Sequence, residues 1–290
     1  MFAGDHATQR HGGACEAEAS LTGVSSEALE TVDQLLRTWE AIIVDYGRQH
    51  PTGDVRDLPG MGIRWADSRF PFWNCVTFTE PGIDGRRLAP LLGQAAAYMR
   101  GRTQSGFLWI FEDLLQPAAR AALPAMAEQA GLAFGLTIHG MVGDVLPLQE
   151  PAHPALRFVR VSTEEALMAY ADINAQAYGF PLEAGRDGLG GSALWKTGMH
   201  SYIGLADGVP VSAAAVVETD FRLFLALVAT LPAAQRKGYG EATVRKALFE
   251  GWKATGITRS VLHATAAGAP VYERIGYRKV STIQAYTLAT

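Results

Sequence analysis

One stretch of the chain restricts its fold more than any other, because it combines an apolar run of strand length, a loop of small residues and a helical pattern. The run extends from Phe221 to Thr230 and contains many aliphatic and aromatic residues, which favours a strand. Pro232 and the small residues after it end this pattern. From Glu241 to about Ala254, apolar residues recur at helical spacing. The stretch therefore predicts a strand, a tight loop and a helix in succession.

The predicted loop is suited to binding an anion. Gly238 and Gly240 permit backbone conformations that other residues avoid, and they let a ligand approach the main chain closely. The first turn of a helix has N–H groups without intrahelical partners, and its dipole attracts negative charge. Arg236 and Lys237 add two positive charges beside them. The loop is therefore either a phosphate or pyrophosphate site or a glycine-rich connection with two solvated cations.

The spacing of the glycines excludes two common phosphate-binding motifs. The sequence has no G-x-x-x-x-G-K-[ST], and Gly238-Tyr239-Gly240 is not followed by the third glycine of a dinucleotide fingerprint. It has instead Gln235-x-x-Gly238-x-Gly240 after an apolar strand, which resembles the [QR]-x-x-G-x-[GA] signature of the GNAT superfamily of N-acetyltransferases. Gly268–Tyr277 resembles the superfamily's next motif, a short helix that carries a tyrosine and ends in Gly-[FY].

This resemblance covers roughly residues 157 to 290 and implies both a fold and a donor substrate. The implied fold is α/β (α+β), with a mixed, mostly antiparallel sheet flanked by helices, and the implied acyl donor is acetyl-CoA, without a metal. The backbone of Val228 and Ala229 is implied to pair with the pantetheine arm of the donor. The residues implied to bind its pyrophosphate form the loop and the helix start: Gln235, Arg236, Lys237, Gly238, Tyr239, Gly240 and Glu241.

The resemblance also implies catalytic residues, although the chain departs from the family pattern at two positions. Tyr272 matches the tyrosine with which many members protonate the leaving thiolate, and a phenol is protonated at neutral pH; the alternative is a core aromatic. Where many members have asparagine the chain has Thr265, which we expect to contact the coenzyme. Where many have an acidic base it has Phe224. The candidate proton acceptor is then His263, on the same strand face as Thr265, and the alternative is a structural histidine.

These residues predict direct transfer of an acetyl group to a primary amine of a small molecule in a ternary complex. Cys15 and Cys75 both lie in the other half of the chain, so we expect no covalent acetyl-enzyme. The alternatives are a peptide or protein N-acetyltransferase and an acyl-CoA-binding module without catalysis. The formal net charge of -4 favours a modest-sized cationic acceptor, such as an amino sugar, a polyamine or an amine-bearing metabolite.

The first half of the chain predicts a second lobe that lacks the pyrophosphate loop. Gly131 precedes Thr137-Ile138 by the spacing that separates Gly276 from Thr282-Ile283, which indicates a repeat, but no [QR]-x-x-G-x-[GA] follows a strand there. Residues 1–24 are small and polar, and we expect a flexible arm. The predicted domains are a degenerate GNAT-like lobe at 25–146, a linker at 147–155 and a catalytic GNAT domain at 156–290. This tandem arrangement resembles the two-lobed GNAT enzymes.

Local patterns predict several further features. A helix is predicted from Ser26 to about Gln49, followed by turns at 50–54 and 57–60. Ser162 has the spacing of a capping box and is predicted to cap the first helix of the second domain. The glycine-rich segment 182–198 either covers the substrate or is an ordinary connection with Trp195 in the core.

Composition excludes other classes of protein. The chain has no block of consecutive lysines and arginines, so we expect no nucleic-acid partner. Its longest apolar run, Leu223–Leu231, is far shorter than the roughly 20 residues that cross a bilayer, so we expect no membrane partner. The two cysteines lack the spacing of a disulfide framework or a metal site. Without a secretory signal at the start, the sequence indicates a cytoplasmic protein, and a homodimer is compatible with it.

Overall fold

Eleven strands form one continuous sheet in the computed structural model, which describes residues 23–47, 53–144, 149–190 and 192–289. The strands in chain order are β1 (Asp54–Leu58), β2 (Met61–Trp65), β3 (Asn74–Phe78), β4 (Phe107–Phe111), β5 (Leu132–Asp144), β6 (Arg157–Arg160), β7 (Met199–Ala206), β8 (Val209–Thr219), β9 (Arg222–Thr230), β10 (Arg259–Thr265) and β11 (Arg278–Leu288). Their order across the sheet is β1-β2-β3-β4-β11-β5-β10-β9-β8-β7-β6.

Helices flank this sheet. They are α1 (Ser26–Gly47), α2 (Gly85–Arg100), α3 (Pro117–Gln129), α4 (Glu164–Tyr178), α5 (Leu182–Leu189), α6 (Leu194–Thr197), α7 (Tyr239–Thr255) and α8 (Ala269–Ile275). Three short 3-10 turns, at Pro71–Trp73, Glu112–Leu114 and Pro232–Ala234, lie in the connections between these elements. None of the helices within the described ranges has the length and apolar character needed to cross a membrane.

The predicted fold class is confirmed, since the sheet is mixed and mostly antiparallel. Among its neighbouring strands, only β3 with β4 and β9 with β10 are parallel. The larger hydrophobic core extends through both halves of the chain and includes residues of α1, α2 and α4. A second, smaller core lies beneath α7 and α8, where Val244 and Leu248 of α7 pack with Tyr272 of α8.

The two halves of the chain exchange their last strands. β5, from the first half, lies between β10 and β11, while β11, the final strand, lies between β5 and β4. Ile138 of β5 pairs with Ile283 of β11, and each isoleucine follows by seven residues a glycine of positive φ, Gly131 or Gly276, that precedes its strand. An approximate two-fold axis therefore passes between these isoleucines. This register supports the predicted repeat, whereas the domain boundaries at 147–155 stay a prediction.

Three local predictions were wrong. Asp54, Asp57 and Leu58, predicted to lie in turns, belong to β1, because this edge strand exposes charged side chains that hide the alternation of a strand, whereas residues 59–60 form a turn as predicted. The cap of α4 is Thr163, whose hydroxyl accepts a hydrogen bond from Ala166 N at 3.2 Å, and not Ser162. Helix α7 begins at Tyr239 rather than Glu241, because Gly238 already has the left-handed conformation that turns the chain into the helix.

Two glutamates of α1 bind arginines at the starts of the last three strands. Glu30 accepts hydrogen bonds from Arg222 Nε at 2.5 Å and from Arg259 Nη2 at 2.7 Å. Glu27 accepts from Arg259 at 2.9 Å and also pairs with Arg278. Burial alone would raise the pKa of the Glu30 carboxyl, but the hydrogen bonds from Arg259 and Arg222 outweigh burial and hold the pKa below its ordinary value.

Replacing Glu30 by Gln should therefore lower the free energy of unfolding by about 2 kcal/mol at pH 7. Because the pKa of Glu30 is lower in the folded state, its contribution is full above the unfolded value near 4.5 and is lost as pH falls through the folded value. Urea unfolding at pH 7 and at pH 3 would measure both effects. The exposed Glu128→Gln is the control and should change stability by less than about 0.5 kcal/mol; an equal loss in both variants contradicts the prediction.

Candidate functional site

A bulge in β9 opens the sheet at the centre of the second half. The pairing of β9 with β8 shifts register between Ala226 and Ala229, and Leu227 within this shift has a φ of 52°. The parallel pairing of β9 with β10 ends at Leu225 and Leu262. Beyond that point β10 continues along β5, while β9 continues along β8. The two strands therefore diverge, and the backbone of β9 after the bulge has an edge that β10 does not cover.

Two tyrosines of α4 hold the bulge in place. The Tyr170 hydroxyl donates to the carbonyl of Leu227 at 2.8 Å, and the Tyr178 hydroxyl donates to the carbonyl of Val228 at 2.8 Å. Burial raises the pKa of Tyr178 to about 12, so the phenol is protonated and can donate at neutral pH. Neither tyrosine belongs to the site predicted from the sequence. Their separation by eight positions, about two helical turns, is the signal that places both on one face of a helix.

The predicted anion-binding loop lies at the end of β9. Arg236 and Gly238 both have positive φ, and Gly238 precedes α7 without any side-chain hydrogen bond to the first turn of the helix. Gly240 lies so close to the strand end that a Cβ atom there would be 2.7 Å from the Thr230 hydroxyl. The start of α7 is thus free of an internal side-chain cap, as a site for an external anion requires.

The two cations of the loop are exposed to an incoming anion, whereas its carboxylate is already paired. Gln235, Arg236 and Lys237 are exposed, and within the described ranges neither cation forms an ion pair. Glu241 is engaged by Arg245 at 3.0 Å and by Arg274 at 3.1 Å. Burial would raise the pKa of Glu241, but these arginines outweigh it and lower the pKa. The carboxylate of Glu241 is therefore already neutralised, so any contribution to anion binding comes from its backbone. The loop and helix start at residues 235–241 therefore fit a pyrophosphate group.

Tyr272 lies in α8, within the core beneath α7, and is 9% exposed. Burial raises the pKa of its phenol, and the neighbouring hydroxyls of Tyr178 and Tyr277 raise it further. Tyr272 is consequently protonated at neutral pH. Tyr178, one of these two neighbours, has its hydroxyl bonded to the bulge.

His263 lies in the wall of the opening, where its ring contacts Trp109, Phe111 and Phe224 with centroid distances of 5.3 to 5.8 Å. Its Nε2 is 3.0 Å from the carbonyl oxygen of Thr31, which can only accept, so Nε2 carries the hydrogen. Nδ1 is out of contact with solvent and has no hydrogen-bond partner among the described residues. Burial lowers the pKa of His263 to about 3, which opposes the predicted role of His263 as proton acceptor.

Thr265 is part of the turn between β10 and α8. Its hydroxyl accepts a hydrogen bond from Gly268 N at 3.2 Å, and its carbonyl accepts one from the same N–H at 3.0 Å. The side chain therefore positions the turn that leads to Tyr272. A contact between Thr265 and the coenzyme stays a prediction.

A cleft that opens to solvent lies beside the bulge. We call it the aromatic cleft, since most of its large side chains are rings from both halves of the chain. Its lining consists of Trp39, Phe72, Trp73, Trp109, Leu136, Ile138, Tyr178, Phe224, Leu225, Ala226, Leu227, His263 and Thr265.

The segment from α5 to α6, for which one predicted role is to cover the substrate, is held by the first half of the chain. Trp73 Nε1 donates to the carbonyl of Gly188 at 2.6 Å, and Ser68 Oγ donates to Asp187 at 2.8 Å. Asp45 of α1 accepts from Ala193 N at 3.0 Å. Trp195 is 3% exposed and packs in the core against Tyr170.

The helix start of the first half that corresponds to the start of α7 is already capped by a carboxylate. Helix α2 comes after β3 in the chain, and Asp84 caps it by accepting a hydrogen bond from Arg87 N at 2.8 Å. Glu80 binds the Arg87 guanidinium nearby, with Nη2 at 3.0 Å. Because internal carboxylates occupy this helix start and its arginine, the first half does not fit a second pyrophosphate.

Comparisons with known proteins agree with this geometry. Residues 163–277 match the Acetyltransferase (GNAT) family. A GCN5-related N-acetyltransferase from Kribbella flavida superposes with a TM-score of 0.63 at 18% identity, over 88% of this chain and 95% of its own. A functionally unknown conserved protein from Staphylococcus epidermidis gives a TM-score of 0.57 at 11% identity, covering 82% of this chain and 95% of its own.

A third solved structure, a GCN5-related N-acetyltransferase from Sphaerobacter thermophilus, gives a TM-score of 0.54 at 15% identity, covering 79% of this chain and 76% of its own. No curated protein matches the chain. At these identities the likeness concerns the fold alone. Because the coverage is well above half of the chain, the likeness includes much of the first half as well as residues 163–277.

Proposed function

Because residues 163–277 belong to the Acetyltransferase (GNAT) family, we propose that the protein transfers an acetyl group from acetyl-CoA to a primary amine of a small molecule. The observation that carries this proposal is a single opening in the sheet. The bulge at Leu227, the uncapped start of α7 and the protonated Tyr272 all belong to the elements around it.

The donor side of the opening has two binding features. The loop at 235–241 and the first N–H groups of α7 would hold the pyrophosphate, with Arg236 and Lys237 supplying charge. The free edge of β9 at Val228 and Ala229 would pair with the pantetheine arm as an added strand does. When bound, acetyl-CoA supplies an acyl group activated as a thioester. Tyr170 and Tyr178 fix the carbonyls of Leu227 and Val228, so the backbone that faces the reaction is already positioned.

The reaction requires a proton for the leaving thiolate and removes one from the amine nitrogen. Tyr272, with its raised pKa, holds a proton that it would donate to the leaving thiolate. On the acceptor side, none of the described residues lining the aromatic cleft is an aspartate or a glutamate. The cleft itself favours a neutral amine, since apolar surroundings disfavour the charged form and lower an amine's pKa. As the C–N bond forms and the C–S bond of the thioester breaks, the nitrogen would lose one proton to water, and this proton would replace the one that Tyr272 gives to the thiolate.

The cysteines support direct transfer in a ternary complex. Cys75 is 2% exposed in the core of the first half, and burial raises the pKa of its thiol well above the ordinary value. A buried thiol is neither accessible nor ionised at neutral pH and is a poor nucleophile. Cys15 lies outside the described residues.

The first half of the chain is proposed to be a GNAT-like lobe that binds no acetyl-CoA, in a tandem arrangement with the catalytic lobe. Asp84 at the start of α2 supports this, because it takes the place an anion would need. We further propose a cytoplasmic location, which the lack of disulfide-framework spacing between Cys15 and Cys75 supports. The homodimer and the absence of nucleic-acid and membrane partners stay predictions.

The proposal is tested by release of free CoA thiol on a panel of amines, with mass spectrometry of the products. We expect amine-dependent thiol release, and faster turnover of small amines than of peptide N-termini, because the first half and the α5–α6 segment enclose the acceptor side. Faster turnover of peptides would favour a peptide or protein acetyltransferase. Acetyl-CoA binding without turnover on any amine would favour a non-catalytic binding module.

A further inference from the structure

The aromatic cleft and the bulge share residues, so a molecule in the cleft reaches the reaction site. Leu227 belongs to both, and Thr265 lines the opposite side at the end of β10. From there the cleft extends towards Trp39 and Trp109 of the first half. An acceptor would therefore have its amine near the bulge and the rest of its structure among the rings.

The deeper part of the cleft is formed by packed aromatic side chains. Trp39 has its ring centroid 6.0 Å from that of Trp109 and 5.8 Å from that of Phe224. At the other side, Phe72 and Tyr178 lie 5.0 Å apart, edge to face. Faces and edges of this kind bind flat rings by stacking and by edge-to-face contact. The shape and chemistry of the cleft therefore match an aromatic ring better than a flexible polar chain.

The charge of the cleft also restricts the acceptor. None of the described residues that line it carries a formal charge at neutral pH, since His263 is neutral. A polyamine or an amino sugar would leave charges or hydroxyls without partners in these apolar surroundings, which is unfavourable. A compound with a single amine needs to lose only one charge, and it must lose that charge in order to react. Of the expected acceptors, the cleft thus opposes the polyamine and the amino sugar.

His263 adds no polar contact to the cleft. Its Nε2 hydrogen is used by the Thr31 carbonyl, and Nδ1 is out of contact with solvent, so neither ring nitrogen is available to a molecule in the cleft.

We infer that the acceptor is an aryl-alkylamine, with its ring among Trp39, Phe72 and Trp109. This inference rests on the proposed acetyl transfer and specifies its substrate. His263 contributes its ring to the packing of the cleft wall and takes no proton from the amine.

The substrate class is tested with the full chain and saturating acetyl-CoA by comparing kcat/KM for tyramine, 2-phenylethylamine, spermidine and glucosamine. We expect both aryl-alkylamines to exceed spermidine and glucosamine by about 100-fold or more. Phe72→Ala should lower kcat/KM for both aryl-alkylamines about tenfold, whereas Phe134→Ala, an exposed ring outside the cleft, should not. Equal or faster use of spermidine or glucosamine would overturn the inference.

A measurement of tyramine binding distinguishes a failure of this inference from a failure of the proposed acetyl transfer. Tryptophan fluorescence reports on the cleft directly, since Trp39 and Trp109 line it. Quenching by tyramine that Phe72→Ala weakens, without any turnover, would contradict acetyl transfer while supporting an aryl-alkylamine site in the cleft. Turnover of other amines with no tyramine binding would support acetyl transfer and overturn the inference.

Discussion

Tyr272→Phe is expected to lower kcat by about 100-fold or more, while the Kd for acetyl-CoA changes by less than about twofold. The phenol is buried and protonated, so its proton is available at neutral pH, and the leaving thiolate needs that proton only as the reaction proceeds. Phenylalanine keeps the ring and its packing. Single-turnover kinetics would measure the chemical step, and calorimetry would measure the affinity for acetyl-CoA.

Tyr277→Phe is the matched control for this prediction. Its ring lies 6.1 Å from that of Tyr272 in the same core, and its hydroxyl donates to Ser260 at 2.6 Å rather than reaching the opening. It should lower stability by about 1 kcal/mol and leave kcat nearly unchanged. If Tyr272→Phe retains wild-type turnover when chemistry limits the rate, then Tyr272 is not the acid and water is the remaining proton donor.

Gly238→Val is expected to raise the Kd for acetyl-CoA by about 100-fold or more. Gly238 has a φ of 78° and begins the turn that aims the first N–H groups of α7. A β-branched residue avoids this conformation, so the loop must change shape and the N–H groups no longer converge. Arg236→Ala should weaken binding less, by about tenfold, because it removes one exposed charge and leaves the backbone unchanged. Isothermal titration with acetyl-CoA would measure both effects.

Gly256→Val is the control that separates the effect of backbone strain in α7 from the loss of acetyl-CoA binding. Gly256 ends the same helix with a φ of 75°, and both glycines have enough space for a Cβ atom. The two substitutions therefore impose similar backbone strain on α7, but only Gly238 lies at the anion-binding end. We expect similar losses of stability and a normal Kd for Gly256→Val. Unchanged affinity in a folded Gly238→Val protein would exclude this loop as the pyrophosphate site.

The parts of the site that could be predicted are those whose residues are close together in the sequence. Gln235, Gly238 and Gly240 come directly after an apolar strand, and the structure has the strand, loop and helix start that this order indicates. The hydrogen bonds of Tyr170 and Tyr178 to the bulge connect residues 57 and 50 positions apart, and no local pattern indicates such contacts. No sequence pattern predicts the bulge either, because leucine is common in strands and nothing in the sequence marks Leu227 for its positive φ.

The acceptor side shows why composition is a poor guide to a site. A formal net charge of -4 favours a cationic acceptor, but the aromatic cleft combines Trp39 and Trp109 with Phe224, which lie far apart in the sequence. Net charge describes the whole surface, whereas the cleft is formed by the few side chains that the sheet brings together. The same limit applies to β1, whose charged edge residues resemble a turn in the sequence although they pair with β2 in the sheet.

The exchange of strands also determines when each half of the protein can be completed during synthesis. β11 leaves the ribosome after the other ten described strands, yet it pairs with β4 of the half that is made first. β5 emerges early, but its partner β10 appears more than 100 residues later. Until then the edges of β4 and β5 lack the partners that cover them in the finished sheet, and such edges invite pairing with other chains. The synthesis of β11 therefore completes both halves at once, and the nascent first half depends on protection until then.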